Sequence, residues 1–150
     1  MPVEGNVELM RRWFQEVWNE NKSQTIYELL SPDGVARGQS GGQDEIHGPT
    51  EFALFVEHIR GAFPDIKVEI EDIFGAGDKV VVRWSATMKH LGDSLGIPAT
   101  GKPVRSTGIS IARIEKGQIV EGWDNWDQLE MLKQIGAYTD AETVPLAKSA

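Results

Sequence analysis

Between Val3 and Asn21 the apolar positions Val7, Met10, Trp13, Phe14, Val17 and Trp18 recur at steps of three and four, with Glu8, Arg11, Arg12 and Glu16 between them. That period lays one apolar stripe along a helix, and such a stripe is usually buried against the body of a domain. A second, shorter helix is expected from Ser23 to Leu30, with Ser23 as its N-cap and Ile26, Leu29 and Leu30 inward. Ser31-Pro32-Asp33-Gly34 then reads as a stop and turn. From Val35 to Gly48 the pattern gives way to a polar, glycine-rich run, Gly38-Gln39-Ser40-Gly41-Gly42-Gln43-Asp44, read as a strand or two around a loop. Gly48-Pro49-Thr50 opens a third helix, where proline is tolerated because the first amides of a helix lack an intrahelical partner. Phe52, Phe55, Val56, Ile59 and Phe63 mark its buried face, and Pro64 follows its end.

After Pro64 the period falls to two. Ile66, Val68 and Ile70 alternate with Lys67, Glu69 and Glu71, which is the pattern of a half-buried strand. Gly75-Ala76-Gly77-Asp78 is a turn, and a second strand runs from Lys79 to Met88. The segment from Leu91 to Lys102 is a long hairpin connection, Val104 to Ile114 a third strand, and Ile119 to Trp126 a fourth beyond a tight turn at Glu115-Lys116-Gly117-Gln118. A last helix, Asp127 to Ile135, ends at Gly136. Helices followed by long antiparallel strands describe an α+β domain, with helices on one face of a curved sheet and a small-molecule pocket at its open end.

Composition narrows the chemistry. The 150 residues carry 15 Lys and Arg against 23 Asp and Glu, a net charge of −8, which disfavours a nucleic-acid or anionic-membrane surface. The absence of cysteine removes disulfides, thiolate metal sites and cysteine nucleophiles, and three scattered histidines leave little for a metal cluster. No run is long and apolar enough to span a bilayer, and the first residues lack the pattern of a signal peptide, so a cytoplasmic protein is expected. Neither a dinucleotide fingerprint, a P-loop nor a nucleophile elbow occurs.

A set of short words in the second half carries more. Phe63-Pro64-Asp65, Val82-Arg83-Trp84, His90-Leu91-Gly92, Gly96-Ile97-Pro98-Ala99-Thr100-Gly101-Lys102, Gly108-Ile109-Ser110-Ile111 and Trp123-Asp124-Asn125-Trp126-Asp127 occur in that order. Together with the helical first half, they make the chain resemble the SnoaL-like polyketide cyclase and ester cyclase proteins of the nuclear-transport-factor-2-like superfamily. The resemblance covers about Val7 to Ala137 and leaves 138–150 as a loosely ordered tail. It implies a cone-shaped α+β barrel with N-terminal helices over the concave face of the sheet, associating as a dimer or tetramer through the outer face. It also implies an intramolecular aldol condensation run by a pocket aspartate with no metal or organic cofactor. By position in the final strand, that aspartate is Asp124; the histidine that such cyclases place fourteen residues earlier is replaced here by Ser110, and His90 is the substitute the sequence offers.

The residues themselves allow two readings of Asp124. With Gly122 and Trp126 it shares one strand face with Val120; if that face lines the cone, desolvation raises its pKa into a useful acid/base range. Alternatively it is ionised and paired with Arg83, Arg105 or Arg113. His90 follows Trp84, Ala86 and Met88 in strand parity and points either into the mouth of the cone or to solvent at a hairpin end; His47 and His58 rank lower. Trp84, Met88, Ser110 and Trp126 are candidate pocket walls, Tyr27 a candidate hydroxyl, and Arg83 a candidate cation for a ligand carboxylate or for Asp124. The expected ligand is small and largely apolar. The expected activity is acid/base chemistry next to a carbonyl, an aldol-type cyclisation or an isomerisation; a non-catalytic ligand-binding role is the alternative. Hydrolysis of an epoxide would require a second acid and an arginine around one water. An outer sheet face bearing Ile109, Ile111, Ile119 and Trp123 predicts self-association.

Overall fold

The computed structural model describes residues 2–40 and 44–138. Helix α1 (Val3–Trp13) runs without a break into a π-helical turn, Phe14–Asn19, and α2 (Ser23–Leu29) follows. Then come β1 (Leu30–Arg37), β2 (Glu45–His47), α3 (Gly48–Ala62), β3 (Lys67–Ala76), β4 (Lys79–Lys89), β5 (Pro103–Glu115), β6 (Gln118–Trp126) and α4 (Gln128–Gln134). The strands form one six-stranded sheet in the order β2-β1-β6-β5-β4-β3. Register shifts in β1, β3 and β6 add residues to one strand of a pair, and such bulges bend and twist a sheet. The first three helical segments cover the concave side.

The π turn has a purpose that the three-and-four spacing does not reveal. Trp13 and Trp18 are five residues apart, which in an α-helix would set them about 140° from each other. Bonds of the i→i+5 type, such as Glu20 N–H to the Gln15 carbonyl at 2.9 Å, bring residues five apart back onto one side. Both indoles therefore meet Phe52 of α3 edge-on, with ring centroids 5.1 and 6.4 Å away. Arg60 of α3 donates to the Trp18 carbonyl at 2.8 Å, satisfying an acceptor at the end of the turn. Asn19, the last residue of the turn, bonds the edge strand β3 on both sides: its Nδ2 donates to the Val68 carbonyl at 2.9 Å, and its Oδ1 accepts from the Val68 N–H at 2.6 Å.

Several local expectations are corrected. Ser31-Pro32-Asp33-Gly34 does not end a segment; it lies within β1 as a bulge between the pairs Leu30↔Ile119 and Val35↔Glu121. That pairing with β6 is parallel, whereas the remaining strand pairs are antiparallel. Ser23 is the first residue of α2 and does not cap it. Ile119 is buried, because the register shift opposite Arg113 and Ile114 reverses strand parity at Val120. The last helix is N-capped by Asp127, whose Oδ1 accepts from the Glu130 N–H at 3.1 Å. From residue 139 onward the expected tail lies outside the described residues.

Candidate active site

Ser110 on β5 and Asp124 on β6 are direct cross-strand partners, and Trp84, Gly108 and Trp126 stand side by side on β4, β5 and β6. Period-two alternation aims the side chains of these positions at the concave face. A Cβ at Gly108 would lie 2.3 Å from Trp84 Cζ2 and 2.9 Å from Trp126 Cβ, so the Trp84 ring occupies the space that any side chain there would take. Lying across Gly108, the indole donates its Nε1–H to Ser110 Oγ at 3.0 Å. One lone pair of Oγ is thereby engaged, and the Ser110 hydroxyl donates its proton to Asp124 Oδ1.

The segment after β1 closes on the same carboxyl from the other side. Gly38 has φ +80°, and a Cβ there would fall 2.1 Å from the Asp124 carbonyl oxygen, so both backbone angle and close approach demand glycine. The next residue, Gln39, is buried at 8% exposure. Its carbonyl accepts the Trp126 Nε1–H at 2.8 Å, and the residue lines the same cavity as Asp124.

Above this floor lies a narrow cavity of about 100 Å³ that opens to the outside. Met10, Trp13, Phe52 and Phe55 wall it from the helices, Trp84 and Trp126 from the sheet. Among the described residues that line it, Asp124 is the one ionisable group. Burial in this apolar setting raises its pKa from 3.8 to about 6, against the opposing effect of the Ser110 and Gln39 hydrogen bonds, which favour the ionised form. Asp124 also borders a shallow groove on the outer sheet face, which accounts for the partial exposure of the residue as a whole.

The arginine-paired reading of Asp124 is corrected. Arg83 bonds Asp72 at 2.8 Å and Arg113 bonds Glu121 and Glu115 on the outer face, while Arg105 borders the outer groove. Strand parity sends these odd-numbered positions of β4 and β5 away from the cavity. Of the remaining candidates, Trp84, Met88, Ser110 and Trp126 line the cavity. Tyr27 does not: it is exposed, with its hydroxyl 3.3 Å from Thr50 Oγ1. His90 does not line it either. It is fully buried just beyond the end of β4, its ring 5.7 Å from that of Phe63 and its Nδ1 accepting from the Thr100 N–H at 3.2 Å. The connection from Leu91 to Lys102 folds over it, so the geometry does not bring His90 to Asp124. His47 and His58 are exposed. The epoxide reading needs a second acid and an arginine, and the described lining residues supply neither.

Gln39 was absent from the candidates. In the sequence it is one polar residue in a glycine-rich run, and nothing local marks it; only the parallel pairing of β1 with β6 carries it to Asp124.

Comparison with known proteins agrees with this architecture. The model of the SnoaL-like polyketide cyclase family matches residues 8–135. Aklanonic acid methyl ester cyclase DnrD of Streptomyces peucetius is 28% identical over 132 residues, spanning 87% of this chain and 90% of its own. Aklanonic acid methyl ester cyclase DauD of Streptomyces sp. (strain C5) is likewise 28% identical over 132 residues, 87% of this chain and 81% of its own. Among solved structures, a candidate SnoaL-like polyketide cyclase from Jannaschia sp. CCS1 superposes with a TM-score of 0.82 at 25% identity, covering 91% of this chain and 95% of that one. IdmH, a candidate polyketide cyclase from Streptomyces antibioticus, gives 0.74 at 28% identity, with 87% and 98% coverage.

Proposed function

The chain belongs to the SnoaL-like polyketide cyclase family, and from that premise we propose that it is a cofactor-independent acid/base enzyme that closes a ring in a polyketide-like keto ester by intramolecular aldol addition. The observation that carries the reading is that Asp124 is the one ionisable group among the described residues lining an aromatic-walled cavity, with a pKa raised to about 6. Near neutral pH such a carboxyl is mostly ionised, yet basic enough to take up a proton. Relatives that are aklanonic acid methyl ester cyclases support an ester-bearing substrate.

In the proposed reaction the Asp124 carboxylate removes the acidic proton from the carbon between ester and ketone. The carbanion adds to a second carbonyl of the same molecule, forming the ring C–C bond, and Asp124 returns its proton to the new alkoxide. Nothing is lost or gained, so product and substrate are isomers. Ser110 holds the carboxyl in place, and the aromatic walls hold the flat substrate and exclude water.

The test is turnover of a panel of aromatic keto esters, aklanonic acid methyl ester among them, by the wild-type protein and by Asp124→Asn. The expected result is ring closure by the wild type and a loss of about 10²–10⁴-fold in the variant with ligand binding retained. An unchanged rate in Asp124→Asn would remove the aspartate from the chemistry. Tight binding without turnover by the wild type would instead favour the binding-protein reading.

The outer sheet face supports self-association as a second part of the proposal. Ile109 and Phe74 are 49% and 58% exposed there, flanked by Ile111 and Trp123. Sedimentation is expected to give a dimer or larger species at micromolar concentration, and a monomer would overturn it.

A further inference from the structure

We propose that Trp84 is a positioning residue for Asp124, acting through Ser110, and that this relay reserves the carboxyl oxygen Oδ2 for the proton of the reaction. The inference deepens the reading of Asp124 as the acid/base and rests on it.

Two hydrogen bonds in series across three strands carry it. The Trp84 indole on β4 donates its Nε1–H to Ser110 Oγ at 3.0 Å, and the Ser110 hydroxyl on β5 donates to Asp124 Oδ1 on β6. An indole N–H can only donate, so the series has one direction: Ser110 accepts from Trp84 and gives its single proton onward. Among the described residues, the acceptor of that proton is Asp124 Oδ1. A proton on Oδ1 would take the acceptor away from a buried hydroxyl, which is unfavourable, so the carboxyl carries its proton on Oδ2. A hydroxyl that accepts one hydrogen bond is also a better donor in the next, so the indole strengthens the bond to the carboxyl that it does not itself touch.

The register shows how Trp84 comes to serve Ser110. The two are not cross-strand partners: Trp84 stands opposite Gly108, and Ser110 opposite Val82. The indole reaches Ser110, two residues along β5, across the space that Gly108 leaves empty. Trp126, on the other side of Gly108, does not compete for Ser110, because its Nε1–H is bonded to the Gln39 carbonyl.

No other titratable group intervenes. Among the described residues lining the cavity there is no His, Lys, Arg, Glu or Tyr. On the outer side of the same strands, Arg83 is bonded to Asp72, Arg37 and Arg113 to Glu121, and Arg113 also to Glu115. Glu71, Arg105 and Asp127 border the outer groove with Asp124 but lie outside the cavity.

The experiment is a double-mutant cycle read by pH titration of ¹³C-labelled aspartate side chains, with Asp124→Asn identifying the resonance. A donor to the charged form holds a carboxyl midpoint down. Ser110→Ala is expected to raise the Asp124 midpoint by about one pH unit, the size of a lost hydrogen bond to a charged group. Trp84→Phe keeps an aromatic wall and removes the N–H. It is expected to move the midpoint the same way by less while Ser110 is present, and not at all in the Ser110→Ala background. Ser110→Thr, which keeps the hydroxyl, should titrate near the wild type. An equal shift for Trp84→Phe in both backgrounds would mean that the indole acts only by excluding water, and no shift in either would mean that the hydroxyl needs no orienting; each result overturns the relay. Neutron diffraction below the Asp124 midpoint is expected to show the carboxyl deuteron on Oδ2, and a deuteron on Oδ1 would overturn that assignment. Because neither measurement needs substrate, loss of the cyclase reading through the turnover experiment would be seen separately from loss of the relay.

Discussion

Gly108 fixes the direction of the Ser110 hydroxyl although it has no side chain to touch it. The empty position lets the Trp84 indole lie flat, the indole N–H takes one face of Ser110 Oγ, and the hydroxyl proton is left for Asp124. Gly108→Ala is expected to push the indole off Ser110 and destabilise the fold by about 1–3 kcal/mol, the range for overfilling a tight site. Chemical denaturation gives the energy, and the shift of the Trp84 indole N–H resonance reports the lost bond; an unmoved resonance would refute the dependence. At this scale the sequence was partly legible. Strand parity counted from Trp126 back to Gly122 places Asp124 inward, and parity from Trp84 through Met88 puts a wall residue at each even position. Parity misleads at His90, because β4 ends at Lys89 and what covers His90 comes from a connection with no period to read. Gln39 lay beyond such counting, since its role depends on a strand pairing between distant parts of the chain.

Among the elements, those with a strong period were the most readable. The long strands β3 to β6 and helix α3 follow from alternation and from the three-and-four step. Where the structure departs, a nonlocal pairing overrides local chemistry. Turn-forming residues Ser31 to Gly34 stay within a strand because Leu30 and Val35 both find partners on β6. Similarly, the first apolar stripe holds a π turn because two tryptophans must meet one phenylalanine. The same turn supplies Asn19 as a clip on the edge strand β3. Asn19→Ala removes both bonds and leaves two backbone groups to find water. An expected loss of about 1–3 kcal/mol in denaturant unfolding, with faster hydrogen exchange at the Val68 amide, would mark the clip. Wild-type exchange at Val68 would show that β3 holds its edge without it.

For the whole molecule, the buried acid makes stability a function of pH. The folded pKa of Asp124, about 6, lies above the unfolded value of 3.8, so the native state binds the proton more tightly. Its contribution is fully present below pH 3.8 and is lost as pH rises through about 6, on the order of 3 kcal/mol in all. Asp124→Asn removes that loss. The stability of the variant relative to wild type is therefore expected to increase between pH 4 and pH 7.5 by about that amount, measured by denaturant unfolding at each pH; parallel pH profiles would mean that the carboxyl is well solvated. The acid assigned to the proposed reaction is thus held at a cost to the fold, which the aromatic walls and the long strand pairs offset. The first helix, finally, has a consequence for chain length. A π turn holds one more residue than the α-helical turn it replaces. Loss of one residue such as Gln15 would restore a regular helix in which Trp13 and Trp18 stand four apart and still share one side, about 40° from each other. Met10 and Trp13 would then keep their places on the cavity wall. The chain is therefore expected to tolerate the loss of a residue at this turn, whereas the same loss earlier in α1 would turn the residues before it by about 100°.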